Sequence, residues 1–382
     1  MQRRSFLLTA AGGGLALAVG PAPFGLAPAD ASPVTPWSEA GRHTADPRVF
    51  VVEHAILAPN PHNRQPWIVE LTGDGGMTLF CDLDRRLPET DPGDRQIVIG
   101  LGAFIELASL AATERGRRLE VTPFPEGEPA PRLDRRPIAS MRLVSAQGAP
   151  PDPLFAAIKA RRSTKRPFDV SRPVPAEASA RLAALARGGV SVAAVTEPAL
   201  VERLKGLTWA AWLTEFETAR TWRESVELMR FGQAAIAAEP DGISIGGPGL
   251  EPLVVEGTLS RQAFSDPAST ANKVGRDRYQ TMLGATASYL TVASATDGRA
   301  DQIEAGRVYA RANLLATTLG LALHPVSQAL QEFAEMAPHQ AAVEAALGIE
   351  APRRLHMLAR LGYAPAAPAT PRWAASTRLR NG

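Results

Sequence analysis

The 382-residue chain is 45% hydrophobic and 21% charged, with a formal net charge of +2. This composition is sufficient for one large or two ordinary globular domains, and the near-balanced charge gives no reason to expect a nucleic-acid partner. The single cysteine, Cys81, excludes an intrachain disulfide and a cysteine-cluster metal site. We interpret it as a small buried residue on a strand.

Residues 1–31 resemble a twin-arginine export signal. Arg3 and Arg4 precede Phe6 and a weakly hydrophobic run broken by glycines, which is too short to cross a bilayer comfortably. Small residues at Ala29 and Ala31 predict cleavage after Ala31. We therefore expect the twin-arginine export machinery as a partner, a periplasmic or otherwise extracytoplasmic location, and no stable membrane insertion after cleavage. An uncleaved membrane anchor is the rival interpretation.

Residues 46–150 are predicted to form a first lobe, preceded by an irregular lead-in at 32–47. The patterns predict, in chain order, a helix ending in VFVVEHAIL, strands at 67–71 and 77–82, a buried helix at QIVIGLGAFIELASLAATERG, and strands at RRLEVTPF and 140–144. The long helix is apolar on almost every face, which is typical of a buried helix. A segment rich in proline and arginine, 126–153, marks the boundary with the second lobe.

Residues 151–375 are predicted to form a second, related lobe. LASLAATERG, ending at Gly116, matches RANLLATTLG, ending at Gly320, and each is followed by a short strand. The second lobe carries a tryptophan-rich insertion at about 199–256. Its first part, 199–232, is predicted to be one amphipathic helix, and we interpret its aromatic side chains as core rather than as a cofactor-binding stripe.

Two short segments combine residue types that bind ligands. APNPHNRQPW, residues 58–67, should be a rigid loop, because each proline fixes φ and removes a backbone donor. Loops rich in amide side chains either cap structure or hold a ligand. RRSTKRPF, residues 161–168, places four cations within six residues. It is either a solvated basic turn or a phosphate site, in which arginines and a serine hydroxyl donate to a dianion.

Together the two segments resemble motifs of the nitroreductase family of flavin enzymes. RRSTKRPF resembles the family's Arg-x-Ser-x-Lys/Arg motif with its following phenylalanine. APNPHNRQPW resembles the Pro-Ser-x-x-Asn-x-Gln-Pro-Trp loop, with Asn60 in place of serine. Because one chain carries both, the resemblance is closest to the single-chain, pseudo-dimeric members called the Acg family. It implies an α+β, nitroreductase-like fold in which two lobes mimic the family dimer and bind flavin mononucleotide (FMN).

The resemblance also implies roles for individual residues. The flavin ring and ribityl chain would contact Pro59, Asn60, Pro61 and Asn63. The phosphate and ribityl hydroxyls would contact Arg161, Arg162 and Ser163, with Arg372 as a further phosphate ligand. Lys165 would lie near flavin N1 and O2, and the turn at 324–328 would place Ser327 and Gln328 near N5. Gln65 and Trp67 would anchor the loop.

The implied activity is two-electron hydride transfer through flavin N5, from a small-molecule donor to a small organic acceptor such as a nitroaromatic or a quinone. One of the two pseudo-symmetric sites lacks both motifs, so we expect at most one FMN per chain. His62 and His324 are the nearest candidates for acid–base chemistry, although buried, hydrogen-bonded histidines would give the same pattern. A non-catalytic FMN-binding or storage protein, covered by the insertion as a lid, and a structural protein without cofactor are the alternatives.

Overall fold

A computed structural model of the chain describes residues 32–42, 44–73 and 75–381. The predicted export signal lies outside these residues. The described chain combines helices with two main sheets, which confirms the α+β class. One sheet has five strands and the other four, and the core helices pack between them.

The first 150 residues supply four strands of the five-stranded sheet. Their α-helices and strands are α1 (Thr35–Glu39), α2 (Pro47–Ala55), β1 (Trp67–Thr72), β2 (Gly76–Cys81), α3 (Arg95–Thr113), β3 (Arg117–Pro123) and β4 (Ala139–Ser145). The order in the sheet is β11-β1-β2-β4-β3, in which the last strand of the chain pairs parallel with β1 and all other pairs are antiparallel. Cys81 ends β2 and is buried, as expected.

The rest of the chain supplies the four-stranded sheet and a helical insertion. Its first elements are α4 (Ala176–Ala183), β5 (Val190–Val195), α5 (Pro198–Glu217), α6 (Ala219–Glu227), β6 (Met229–Phe231), α7 (Gly232–Ala238), β7 (Ile243–Ile245), α8 (Glu251–Val255), α9 (Arg261–Ser265) and α10 (Thr270–Gly284). Then follow β8 (Ser288–Ser294), α11 (Arg299–Thr318), β9 (Ala322–Pro325), α12 (Ala337–Ala346), β10 (Arg354–Gly362) and β11 (Leu379–Asn381). The sheet is antiparallel with the order β5-β8-β10-β9.

Two sequence-based expectations differ from the structure in this region. The predicted single helix at 199–232 is broken at Thr218, whose backbone is extended and separates α5 from α6. The insertion also continues past residue 256 as far as α10, because Tyr279 of α10 stacks on Trp212 of α5 with ring centroids 4.5 Å apart. The helices from α5 to α10 therefore form one unit between the neighbouring strands β5 and β8.

The two longest core helices, α3 and α11, cross at the centre of the molecule in equivalent registers. Each begins on a buried arginine, Arg95 and Arg299, which are 204 residues apart. The two matching sequence segments, LASLAATERG and RANLLATTLG, end on Gly116 and Gly320 with the same separation. The sequence match thus coincides with equivalent positions of the two helices in the crossing.

The apolar character of α3 follows from this central position. Its length and mean hydropathy of 1.7 would permit a membrane span, but 83% of its apolar window is buried inside the protein. A helix that is apolar on all faces is expected where neighbours cover every face. The helix therefore belongs to the core.

Candidate functional site

The loop after α2 has an unusual backbone. His62, Asn63 and Gln65 all adopt positive φ, at 47°, 53° and 52°. Non-glycine residues rarely adopt this region, and such strain persists only where surrounding contacts enforce it. The loop is therefore held in one shape by its side-chain partners.

The amide side chains of the loop supply those partners. Asn60 Oδ1 accepts from the backbone N–H of Gln65 at 2.7 Å. Gln65 is fully buried, donates through Nε2 to the Pro240 carbonyl at 2.8 Å, and accepts through Oε1 from the Trp373 N–H at 3.0 Å. The buried Trp67 ring packs beside Phe104, with centroids 5.2 Å apart. Gln65 and Trp67 thus anchor the loop.

The loop forms one wall of a cavity of ≈ 80 Å³ that opens to solvent. Five of the predicted site residues line it: Pro59, Asn60, Pro61, Ser163 and Ser327. The other lining residues come mainly from α3, α11, β9 and β10: Gln96, Ile99, Gly100, Ala103, Tyr309, Pro325 and Met357.

Three arginines cluster around the indole ring of Trp37 in α1. The guanidinium carbons of Arg161, Arg162 and Arg372 lie 5.6, 4.4 and 5.3 Å from the ring centroid. Among the described residues, no carboxylate forms an ion pair with any of them. Burial lowers the pKa of Arg161 to about 10, and burial together with the two neighbouring arginines lowers that of Arg372 well below its usual range. We call these three residues and Trp37 the arginine cluster.

Arg161 leaves two of its donors without a partner in this cluster. Its Nη2 donates to the Leu57 carbonyl at 2.9 Å, while its Nε and Nη1 atoms are buried without a hydrogen bond in the described chain. Buried donors without partners are costly, and a buried charge without a counter-charge is costlier. The cluster therefore has the donors and the uncompensated charge that an anionic group requires.

Asn63 and Arg372 position each other rather than line the cavity. Arg372 donates to Asn63 Oδ1, and to the carbonyls of Ile56 and Ala58 at 2.9 and 3.2 Å. Asn63 Nδ2 donates to the Pro371 carbonyl at 3.1 Å. The C-terminal segment is thus fastened to the loop, and both amide atoms of Asn63 are engaged within the protein.

The segment after Arg162 runs along the edge strand β9. Ser163 forms a parallel bridge with Leu323, and the Thr164 N–H donates to the Leu323 carbonyl at 2.9 Å. Lys165 is exposed to solvent, and the protein atoms around it lower the pKa of its ammonium group through partial loss of hydration. The charge of Lys165 acts on His62 and His324, which places it near both the loop and β9.

Residues of the insertion meet the turn that carries Ser327 and Gln328. Gln328 partly offsets the rise in pKa that burial causes at Glu215 of α5 and at Tyr279 of α10, so its side chain lies near both residues. Ser327 lines the cavity and accepts through its carbonyl from Gln96 Nε2 at 3.4 Å. The predicted turn is therefore placed between the cavity and the insertion.

The aromatic side chains of the insertion form a core. Trp212 stacks between Trp209 and Phe216, at 5.2 and 4.8 Å between centroids, and the Trp222 ring meets Phe216 edge-on at 4.5 Å. Trp212 is buried, and none of the four rings lines the cavity. The interpretation of this stripe as core is confirmed.

The equivalent position on the other side of the α3–α11 crossing is filled. Gly100 and Ala103 line the cavity, whereas their counterparts 204 residues later are Glu304 and Arg307. Arg307 donates to Glu106 at 2.9 Å, and Arg187 bridges Glu106 and Glu304 at 2.8 and 2.6 Å. These side chains form an ion-pair network at the positions equivalent to Gly100 and Ala103.

Several residues at the site lie outside any recognisable sequence motif. Trp37 lies in the lead-in that we expected to be irregular but that contains α1. Gln96 and Tyr309 lie on the core helices, where periodicity predicts only burial. The sequence match between α3 and α11 also aligns Gly100 with Glu304. This difference in side-chain size is the sequence signal that could have shown on which side of the crossing the cavity lies.

Comparisons with known proteins agree with the motifs. No family model matches the chain. A Mycobacterium tuberculosis (strain H37Rv) protein named "Putative NAD(P)H nitroreductase" is 29% identical over 319 residues, which cover 82% of this chain and 84% of the relative. Another "Putative NAD(P)H nitroreductase" of this strain, acg, is 37% identical over 84 residues, 22% of this chain and 24% of that relative.

Solved structures align over a smaller part of the chain. The FMN-dependent nitroreductase NfnB from Mycobacterium smegmatis, in complex with NADPH, is 18% identical, covers 59% of this chain and 90% of its own, and has a TM-score of 0.33. An iodotyrosine deiodinase bound to FMN and 3-iodo-L-tyrosine is 16% identical and has a TM-score of 0.34. The alignment covers 58% of this chain and 95% of the deiodinase chain. The sequence matches thus place nitroreductase-family proteins among the homologues of this chain along most of its length.

Proposed function

We propose that the protein is an FMN-dependent oxidoreductase that transfers two electrons as hydride from a small-molecule donor, such as NAD(P)H, to a small organic acceptor such as a quinone or a nitroaromatic. The observation that carries this proposal is the arginine cluster beside the cavity, with its unpartnered Arg161 donors. Bound FMN would supply the hydride chemistry, as a flavin does in related enzymes.

The residues present fit FMN by their chemistry. Arg161, Arg162 and Arg372 would hold the phosphate, since arginine forks match phosphate oxygens. Ser163 and the loop residues Pro59, Asn60 and Pro61 would face the ribityl chain and the ring. Lys165 supplies a positive charge, which favours the reduced flavin. Ser327 and Gln328 would meet the ring edge, and Asn63 would act by holding Arg372.

We further propose that the two halves of the chain, 46–150 and 151–375, act as a pseudo-dimer with a single cofactor site. The equivalent crossing of α3 and α11 supports two related lobes. The ion pairs of Glu304 and Arg307 support the loss of the second site. The helical insertion would then cover the remaining site from the side of Gln328.

The absorption spectrum of the purified protein tests this function first. We expect bound FMN, its reduction by NAD(P)H under anaerobic conditions, and its reoxidation by a quinone. A colourless protein that binds no added FMN would refute the proposal. Bound FMN that neither NAD(P)H nor dithionite reduces in place would favour the storage function instead.

A further inference from the structure

A hydrogen-bonded chain of three side chains runs from the insertion to the cavity loop. Ser225 Oγ of α6 lies at hydrogen-bond distance, 3.0 Å, from Glu215 Oε1 of α5, and Ser225 Oγ also lies 3.3 Å from His62 Nε2. Gln331 Nε2 donates to Glu215 Oε2 at 3.0 Å, which fixes the orientation of the carboxyl group. His62 follows Pro61, which lines the cavity.

The two inner members of this chain are secluded from water. Glu215 is 4% exposed and Ser225 3%. Burial raises the pKa of Glu215, and Lys165 acts on it without forming an ion pair in the described chain. A buried carboxyl group without a paired cation tends to hold its proton.

His62 is suited to pass a proton without becoming charged. Burial, with the nearby Lys165 and Arg64, lowers its pKa to about 3, so its imidazole is neutral at physiological pH. Its Nδ1 atom has no hydrogen-bond partner among the described residues and is not one of their fully enclosed polar atoms. One ring nitrogen therefore faces Ser225, and the other has no hydrogen-bond partner within the described chain.

We propose that Glu215, Ser225 and His62 form a proton relay that delivers to the acceptor the proton that accompanies hydride transfer. The relay rests on the proposed function. A quinone that becomes a hydroquinone gains one hydride, which the reduced cofactor supplies, and one proton.

The proton transfers balance along the three side chains. In the starting state protonated Glu215 donates to Ser225 Oγ, and the Ser225 hydroxyl donates to His62 Nε2. His62 Nδ1–H then gives its proton to the acceptor oxygen, Nε2 takes the hydroxyl proton of Ser225, and Ser225 takes the proton of Glu215. The imidazole ends neutral in its other tautomer, and Glu215 ends as a carboxylate that accepts hydrogen bonds from Ser225 and Gln331. After the product leaves, solvent gives a proton to His62 Nδ1, and the reverse transfers return a proton through Ser225 to Glu215. The insertion would thus supply two members of the relay, Glu215 and Ser225.

Acceptors that differ in their need for a proton test the relay. Fully reduced FMN-loaded protein is mixed rapidly with menadione, which needs a proton, or with ferricyanide, which accepts single electrons without one. We expect Glu215→Gln and Ser225→Ala to slow reoxidation by menadione roughly 10²-fold and to alter its solvent deuterium isotope effect, without slowing reoxidation by ferricyanide. Glu217→Gln, at an exposed position on α5, is the matched control and should behave as wild type.

A second measurement needs no cofactor. In ¹⁵N-histidine spectra of the FMN-free protein, His62 should be neutral at pH 6, and Ser225→Ala should shift its tautomer balance while Glu217→Gln should not. Wild-type menadione rates in both Glu215→Gln and Ser225→Ala would overturn the relay, and so would an equal slowing with ferricyanide. If Glu215→Gln fails to fold, Ser225→Ala decides. Absence of FMN binding would overturn the proposed function and the relay together.

Discussion

Gly102 of α3 and Gly306 of α11 occupy matching positions in one helix crossing. A Cβ atom on Gly102 would overlap with the carbonyl oxygen of Ile303, and a Cβ atom on Gly306 would overlap with that of Ile99. Each glycine thus admits the backbone of the other helix, and the two contacts are related by the same 204-residue separation. Only residues without a side chain allow the helices to approach this closely.

We expect Gly306→Ala to destabilise the protein by about 1–3 kcal/mol, because the added methyl group meets backbone that cannot rotate away. Urea unfolding would measure the change. The control is Gly206→Ala in α5, where nothing lies within 4 Å of the added Cβ and where alanine should stabilise the helix by up to about 1 kcal/mol. Equal effects of the two substitutions would show that the crossing tolerates separation.

Arg161→Met should affect cofactor binding and stability in opposite directions. Loss of a charge-assisted bond should weaken FMN binding by about 1.5–3 kcal/mol, or roughly 10- to 150-fold. Removal of an uncompensated buried charge should leave the FMN-free protein at least as stable as wild type. Fluorescence titration and urea unfolding test the two effects. Arg118→Met, at an exposed ion pair with Glu120, should change neither, and unchanged FMN affinity in Arg161→Met would remove this arginine from the site.

The purified protein should carry at most one FMN per chain. Gly100 and Ala103 line the cavity, whereas the equivalent positions of α11 carry the ion-paired side chains of Glu304 and Arg307. The cofactor released by heat, quantified by absorbance against protein concentration, gives the ratio. A ratio near two would contradict the proposed loss of the second site.

Stability should fall in mild acid, in part through His54. Burial lowers the pKa of this imidazole to about 4, while Phe50 and Phe155 pack on its ring at 4.5 and 4.9 Å between centroids. The unfolded chain then binds more protons than the folded one between pH 6.5 and 4, so this contribution is complete above pH 6.5 and is lost as the pH falls.

Replacement of His54 by Phe should flatten the pH dependence while keeping an aromatic ring in the same packing. The slope of unfolding free energy against pH in that window should decrease by up to about 1.4 kcal/mol per pH unit. Urea unfolding at several pH values measures it. Identical slopes in His54→Phe and wild type would exclude His54 as a source of acid sensitivity.

Export is predicted to depend on Arg3 and Arg4. Replacement of both by lysine keeps the charge but removes the arginine pair, so the protein should accumulate in the cytoplasm. Cell fractionation of a bacterial host that expresses the full chain, with a known exported protein as reference, measures the distribution. Unchanged export of the lysine variant would exclude the twin-arginine route.

Much of the fold was predictable because it depends on local patterns. The all-apolar run of α3, the alternating burial of β2 and the glycine-rich turn before it are properties of neighbouring residues. The break at Thr218 was missed because neither glycine nor proline marks it. It becomes visible only when α6 packs in a new direction.

The site was predictable only where its residues form sequence motifs. Asn60 and Ser163 belong to such motifs, and both line the cavity. Trp37 and Gln96 do not, because their roles come from contacts with residues hundreds of positions away. Glu215 was hidden because its partners lie outside its own helix, on α6 and just after the turn that carries Ser327.

The arginine cluster joins the beginning of the described chain to its end. Trp37 in α1 donates through Nε1 to the Thr370 carbonyl at 2.7 Å, and its ring lies beside Arg372. Arg372 follows Trp37 by 335 residues, so the cluster cannot close before the chain as far as Arg372 has been synthesised and has left the ribosome. If the cluster binds the FMN phosphate as proposed, the cofactor would be bound only after that segment is in place, and a chain truncated before Arg372 would lack one of the three arginines.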